Sequence, residues 1–331
     1  MTAALHGGVA WSHVIRLPVL GVATTFATDS AAVYDAVMTT YGAWADLAAH
    51  PSLVTPSRAT VKIALHDHPA SPDRPTPLDA APGFVYRVPD ATRLLAFWSG
   101  GGGIADTTRC EALAYVTESL AARPAVLAES VLEPLTLFLL GALDRQPVHA
   151  AAVVRDGVAV LLSAPSGTGK SSVAYAACRH GYALLADEPV YVQLEPTLRV
   201  WGRRARLHLP VEARAHFPEL RGVAPVRLPT GKTKIPVDFG DRAAPYADRA
   251  GLCLLRRAPG STPSLERISP GRAAAEMCAH LDPGYDLFAD TIGERIERIA
   301  GRGAWRLSLG PHPEDALPLL DEIAAELARA G

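Results

Sequence analysis

Lysine is scarce in this chain. Of 32 basic residues only four are lysines, Lys62, Lys170, Lys232 and Lys234. Arginine is the default cation, so a position that keeps lysine is more informative here than in most proteins. An excess of charge is missing too: 32 basic residues against 34 acidic ones leave a net charge of −2, with the two signs interspersed. That balance carries no electrostatic footprint for nucleic acid or an anionic membrane, and neither is expected as a partner. Cysteine is rare, and Cys110, Cys178, Cys253 and Cys278 are far apart with no Cys-x-x-Cys pair. Neither a zinc site nor a disulfide framework is expected, which makes the cytoplasm the default location. Long apolar runs are also lacking. The most apolar stretch, Pro124 to Leu143, is interrupted by Glu129 and Glu133 and reads as a buried helix. The opening residues hold no basic segment followed by a long apolar one, so no signal peptide is predicted.

What is present has the balance of a globular protein, 49% hydrophobic and 20% charged, over 331 residues. That length points to two domains. The first, 1–123, reads as an α+β unit. It has a strand-like run at Val14–Thr25 broken by Pro18, a helix capped by Asp29-Ser30 and running to about His50, and a strand at Thr60–His66. A hairpin over Phe84–Val88 and Arg93–Ser99 follows a Pro- and Asp-rich loop, and Gly100–Gly103 reads as a flexible connection. The second domain, 124–331, reads as α/β. Strands at His149–Val154 and Val158–Leu162 are joined by Asp156-Gly157, a hairpin signal. A helix spans Lys170–His180 with Gly181 just beyond it, and an apolar strand covers Tyr182–Ala186. Later come a helix capped by Ser269 with Pro270 first inside, another at about Tyr285–Ala300, a strand at Trp305–Leu309 and a last helix at Glu314–Ala330. His280 and His312 stand alone and read as structural.

Between the second strand and its helix lies Ala164-Pro165-Ser166-Gly167-Thr168-Gly169-Lys170-Ser171-Ser172. This is the spacing of a phosphate-binding loop, with Ala in place of the first glycine. The two glycines let successive backbone N–H groups turn inward, and the helix N-terminus adds partial positive charge at the same spot. Lys170 would place a cation between the β- and γ-phosphates, and the Ser171 hydroxyl would complete a Mg²⁺ shell. Ala164 asks only that its φ stay negative. The predicted cofactors are therefore ATP, or another nucleoside triphosphate, and Mg²⁺.

Asp187-Glu188 closes the next strand, seventeen residues past Lys170. In a parallel sheet ligands gather at carboxyl ends of strands, so the pair belongs beside the loop. Two readings compete. In one, Asp187 takes the proton of an acceptor hydroxyl while Glu188 helps hold Mg²⁺, which makes a kinase. In the other, Leu184–Glu188 is Walker-B-like, with Asp187 on Mg²⁺ and Glu188 orienting water, which makes an ATPase.

Val148-His-Ala-Ala-Ala-Val-Val, the loop itself and His180-Gly-Tyr-Ala-Leu-Leu-Ala-Asp-Glu together resemble the catalytic core of the HPr serine kinase family. His149 and Asp187 match its His and first acidic position, at twenty-one residues before and seventeen after Lys170. The resemblance implies a P-loop kinase domain of the HPr-kinase C-terminal type, with Asp187 as the base, His149 lying against that carboxylate, and Glu188 on the metal side. Ser172 departs from the acidic residue that follows the loop serine in bifunctional kinase/phosphorylases, and their Gly-rich signature is missing between Val190 and Arg214. The chain is therefore more similar to the HPr-kinase-related group found beside peptide- and natural-product-modifying enzymes. That group implies a Ser or Thr hydroxyl of a peptide or protein as acceptor, with a small-molecule hydroxyl such as free serine as the alternative. The family often forms rings, which makes a homo-oligomer possible. Thr230-Gly231-Lys232-Thr233-Lys234 reads either as a cationic loop closing on the γ-phosphate or as a solvated loop. Arg203, Arg204 and Arg206 read either as a grip for an acidic acceptor or, in preference, as decoration of a strand edge.

Overall fold

The computed structural model describes residues 9–66, 83–203, 206–228, 231–257, 262–279 and 289–329. The chain divides into two compact units, Met1–Arg145 and Gln146–Gly331.

In the first unit, β1 (His13–Val19) and β2 (Val22–Thr28) form a hairpin, followed by α1 (Ala31–Tyr41) and β3 (Thr55–Leu65). Next come β4 (Val85–Asp90), β5 (Arg93–Trp98), β6 (Gly101–Asp106), β7 (Glu111–Val116) and the short helix α2 (Glu118–Ala121). α3 (Pro124–Leu127) and α4 (Glu133–Ala142) close the unit. The strands make one seven-stranded sheet in the order β1-β2-β3-β7-β6-β5-β4. Ser30 caps α1 through Val33 N–H at 3.4 Å. Past Tyr41 the chain tightens into a 3₁₀ turn rather than continuing as α-helix to His50.

Pro124–Ala142 is long and apolar enough, by length and composition, to cross a membrane, and half of it is buried inside the protein. Pro134 has no N–H for the Ser130 carbonyl, and the helix passes through a wide π-turn at Ala128–Leu132. The Tyr86 hydroxyl donates to that carbonyl at 2.8 Å instead. This helix belongs to the first unit, which moves the division from 123 to 145. The reason is burial: Leu135, Leu139 and Leu140 are sealed within this unit, where α4 lies on β3, β6 and β7.

The glycine run is also corrected. Gly100 makes the turn, with φ 77°, and Gly101–Asp106 is strand β6. A Cβ on Gly101 would stand 2.2 Å from the Tyr115 carbonyl oxygen. These glycines serve close approach, not flexibility.

The second unit runs β8 (Gln146–Val148), β9 (Ala151–Arg155), β10 (Val158–Ser163), α5 (Lys170–Arg179), β11 (Ala183–Ala186), β12 (Val190–Gln193) and β13 (Arg199–Trp201). β14 (Arg206–Pro210), β15 (Val226–Arg227), β16 (Thr233–Asp238), β17 (Tyr246–Ala247), β18 (Arg249–Arg257) and β19 (Ser264–Arg267) follow. α6 (Pro270–Cys278), α7 (Ala289–Ala300), β20 (Ala304–Leu309) and α8 (Leu317–Arg329) complete it. The start expected for α7 at Tyr285 lies outside the described residues, as do Arg204, Thr230 and His280.

Its central sheet has the order β11-β9-β10-β18-β20-β19. β10 is buried along its whole length, as its unbroken apolar sequence requires. α5 and α8 pack on one face of the sheet together with the small sheet β14-β16-β15, while β8, β12, α6 and α7 pack on the other. The sheet is mixed rather than parallel. Asp156 and Gly157, with φ of 51° and 76°, close a two-residue hairpin that places β9 beside β10. The strand returning from α5 then adds outside β9: β11 points the same way as β10 but does not touch it.

Candidate functional site

That topology brings three chain segments to one end of the sheet: the carboxyl end of β10, the carboxyl end of β11 and the amino end of β9. Ser163 Oγ donates to the His149 carbonyl at 3.1 Å, pinning the residues before β9 to the end of β10. The loop 164–169 then opens α5. Gly167 and Gly169 take φ of 84° and 126°, values that only glycine adopts without strain. Ala164 is not among the positive-φ residues, as its side chain demands. Pro165, Ser166 and Gly167 are exposed, Thr168 N–H donates to the Pro165 carbonyl at 3.3 Å, and Ser172 is half-buried.

Lys170, the first residue of α5, is buried. Its Nζ donates to the Ala164 carbonyl at 2.6 Å and lies 2.7 Å from His149 Nε2. Ser171 Oγ donates to Asp187 Oδ1 at 2.7 Å, and the His208 N–H donates to Asp187 Oδ2 at 2.7 Å. His149 Nε2 lies 3.0 Å from Glu188 Oε1, and Glu188 Oε2 is 3.9 Å from Lys170 Nζ. The sequence reading is corrected at this point. The carboxylate at His149 Nε2 is Glu188, while Asp187 reaches across to the loop serine. Side-chain alternation explains the exchange, because consecutive residues at a strand end point to opposite sides. One ring nitrogen faces both Lys170 and Glu188, so it accepts from the first or donates to the second according to tautomer.

The two carboxylates titrate in opposite directions. Burial pushes Asp187 above the usual carboxylate range, outweighing the hydrogen bonds from His208 N–H and Ser171. Burial also pushes Glu188 upward, but the His149 hydrogen bond and charge, with the Lys170 and Lys234 charges, hold it below that range.

The cationic loop falls on the same site. Lys232 Nζ lies 3.5 Å from Ser166 Oγ, and the Lys234 charge is felt by Glu188. Arg206 sits exposed on an edge strand opposite Asp238, 3.4 Å away, as an edge-decorating residue does. His312 heads the turn before α8, its N–H bound to Asp315 at 3.0 Å. Sequence reasoning missed His208. It holds Asp187 through a backbone N–H, which every non-proline residue carries, so no residue identity marks it.

Ser171 Oγ and the Asp187 carboxylate are hard oxygen donors. Among the described residues no group of three or more His, Cys, Asp or Glu side chains is arranged to cage a metal. This sparse oxygen set fits Mg²⁺, which takes most of its ligands from phosphate and water.

No family model matches the chain. An HPr kinase/phosphorylase of Levilactobacillus brevis is 40% identical over 96 residues, 28% of each chain. One of Streptococcus thermophilus is 35% identical over 80 residues, 24% of each chain. The tRNA modification GTPase MnmE of Mesorhizobium japonicum is 33% identical over 171 residues, 47% of this chain and 35% of that protein. Among solved structures, the Hpr(Ser) kinase/phosphatase from Coxiella burnetii is 17% identical, with a TM-score of 0.29 over 56% of this chain and 97% of the other. The chain thus spans about a quarter of the length of the curated HPr kinase/phosphorylases it matches, at 24% and 28%. Over that segment it is similar to those HPr kinase/phosphorylases.

Proposed function

We propose that this chain is an ATP- and Mg²⁺-dependent kinase that transfers the γ-phosphoryl group to a Ser or Thr hydroxyl of a peptide or protein. The observation that carries this is the splitting of the acidic pair: Asp187 is bound to the loop serine, and Glu188 is bound to His149 beside Lys170. The loop N–H groups and Lys170 would bind the phosphates. Ser171, with Asp187 behind it, would hold Mg²⁺, whose charge offsets that of the β- and γ-oxygens when bound. Glu188 is then the carboxylate left to receive the hydroxyl proton, with His149 fixing its direction. The acceptor oxygen bonds to the γ-phosphorus, the bond to the β–γ bridging oxygen breaks, and ADP leaves with that electron pair. In this reading the roles inferred from the resemblance are exchanged between positions 187 and 188.

The test is a pair of substitutions. Glu188→Gln should keep Mg·ATP binding and cut transfer about 10²-fold or more. Asp187→Asn should raise the Mg²⁺ concentration needed for half-maximal activity. The opposite pattern would return the base to Asp187, and full transfer by both variants would remove the site. A second reading, nucleotide hydrolysis without an acceptor, is favoured by the Ser171–Asp187 bond, which is Walker-B-like. ATP turnover that no Ser peptide and no free serine accelerates would select it.

A further inference from the structure

β14 and β16 form a wall beside the acidic pair. Leu207, Leu209 and Ile235 are fully buried on the core side of this small sheet. Strand alternation therefore puts His208 and Lys234 on its other face. The register agrees, pairing His208 with Pro236 and Lys234 with Pro210. The sheet borders the site at two points, the free edge of β14 and the hairpin end of β16. The His208 N–H binds Asp187, and Lys232, at the hairpin end of β16, reaches Ser166 of the phosphate loop. Lys234 lies two residues further on, within β16, and its charge reaches Glu188. Neither lysine makes an ion pair within the described residues. Half of the chain's four lysines thus line one edge of the site.

The two lysines divide by position. Lys232 belongs to the nucleotide, because it stands at the loop that would cradle phosphate. Lys234 stands on the outer face of the sheet, and its charge acts on Glu188, the carboxylate assigned to the acceptor hydroxyl. We infer that Lys234 recognises a carboxylate next to the acceptor hydroxyl, so that the substrate is a Ser or Thr in an acidic setting. The inference rests on the kinase reading above and names its substrate class. The carboxylate has two sources, an acidic side chain flanking Ser in a peptide or the carboxyl group of a free hydroxy amino acid.

The experiment offers the full chain, with Mg·ATP, one Ser peptide in three forms flanked by Asp, Ala or Lys, together with free serine and serine amide. The expected kcat/KM is at least about tenfold higher for the Asp-flanked than for the Lys-flanked peptide. Serine should likewise exceed serine amide if the small molecule is the source. Lys234→Glu should reverse the peptide order, and the milder Lys234→Gln should flatten it, with the acceptor KM moving more than the ATP KM. Equal use of all flanks by the native chain would overturn the inference. So would a Lys234→Glu variant that changes only the ATP KM and keeps the flank order. Transfer to none of these acceptors while Mg·ATP binds would overturn the kinase reading, and this inference with it.

Discussion

Asp187 accepts two hydrogen bonds in surroundings that still disfavour its charge. Its carboxyl titrates higher in the folded protein than in the unfolded chain, so folding favours the neutral form. The contribution of this group to stability is therefore fullest below the unfolded carboxylate value of about 4 and is lost as pH rises through the folded value. Asn keeps the shape without the charge and can still accept from the His208 N–H. Asp187→Asn should therefore raise the Tm of the nucleotide-free protein near neutral pH, by about 2–4 °C for each kcal/mol relieved. The difference should shrink toward the acid side, and adding Mg·ATP should stabilise the native chain more than the variant. Calorimetry across pH reads all three. A Tm difference that grows on acidification would mean that Asp187 is not penalised by burial. Lys170 shows the complementary economy: its charge is buried, but a carbonyl, an imidazole and a nearby carboxylate surround it. A triphosphate would replace those partners rather than fill a gap.

At the scale of elements, the segments that carry chemistry were the most legible. The loop 164–172, the hairpin signal Asp156-Gly157, the helix end at Gly181 and the Ser30 cap all act over a few residues, and such local constraints are written in local sequence. What sequence did not disclose was decided at long range. The β9–β10 hairpin is written in Asp156-Gly157, but the addition of β11 outside β9 is not, because that pairing joins segments far apart in sequence. The exchange of partners between Asp187 and Glu188 depends on which side of a strand end faces the loop. The helix at 124–142 joined the first unit because that unit offered the apolar sheet face. Gly100–Gly103 reads as a flexible connection because glycine signals freedom in sequence, but within β6 it permits contact. Gly101→Ala tests that last point. A Cβ there meets backbone, the Tyr115 oxygen, and the indole Nε1 of Trp98 at 2.5 Å. The strand must shift, and the variant should lose about 3 kcal/mol or more of stability in the first unit. Denaturant melts followed by tryptophan fluorescence would register it, and an unchanged midpoint would return the segment to a loose connection.

At the scale of the whole molecule, every residue placed in the site lies within Gln146–Gly331. The two apolar clusters that sandwich the central sheet are also drawn from that unit alone: no residue of either precedes position 148. A sheet covered on both faces by its own helices and strands meets the requirement for an independent core. The chain 146–331 should therefore fold by itself and bind Mg·ATP with affinity within about threefold of the full protein, since the phosphates are read by the loop and helix start. Titration with a fluorescent ATP analogue would measure this. Phosphoryl transfer to a peptide acceptor, measured on the same fragment, then assigns the first unit. Transfer at the full rate would leave 1–145 with no part in acceptor recognition. Retained binding with a raised acceptor KM would place part of that recognition on the seven-stranded sheet. Loss of nucleotide binding by a folded fragment would show that the site needs residues before position 146.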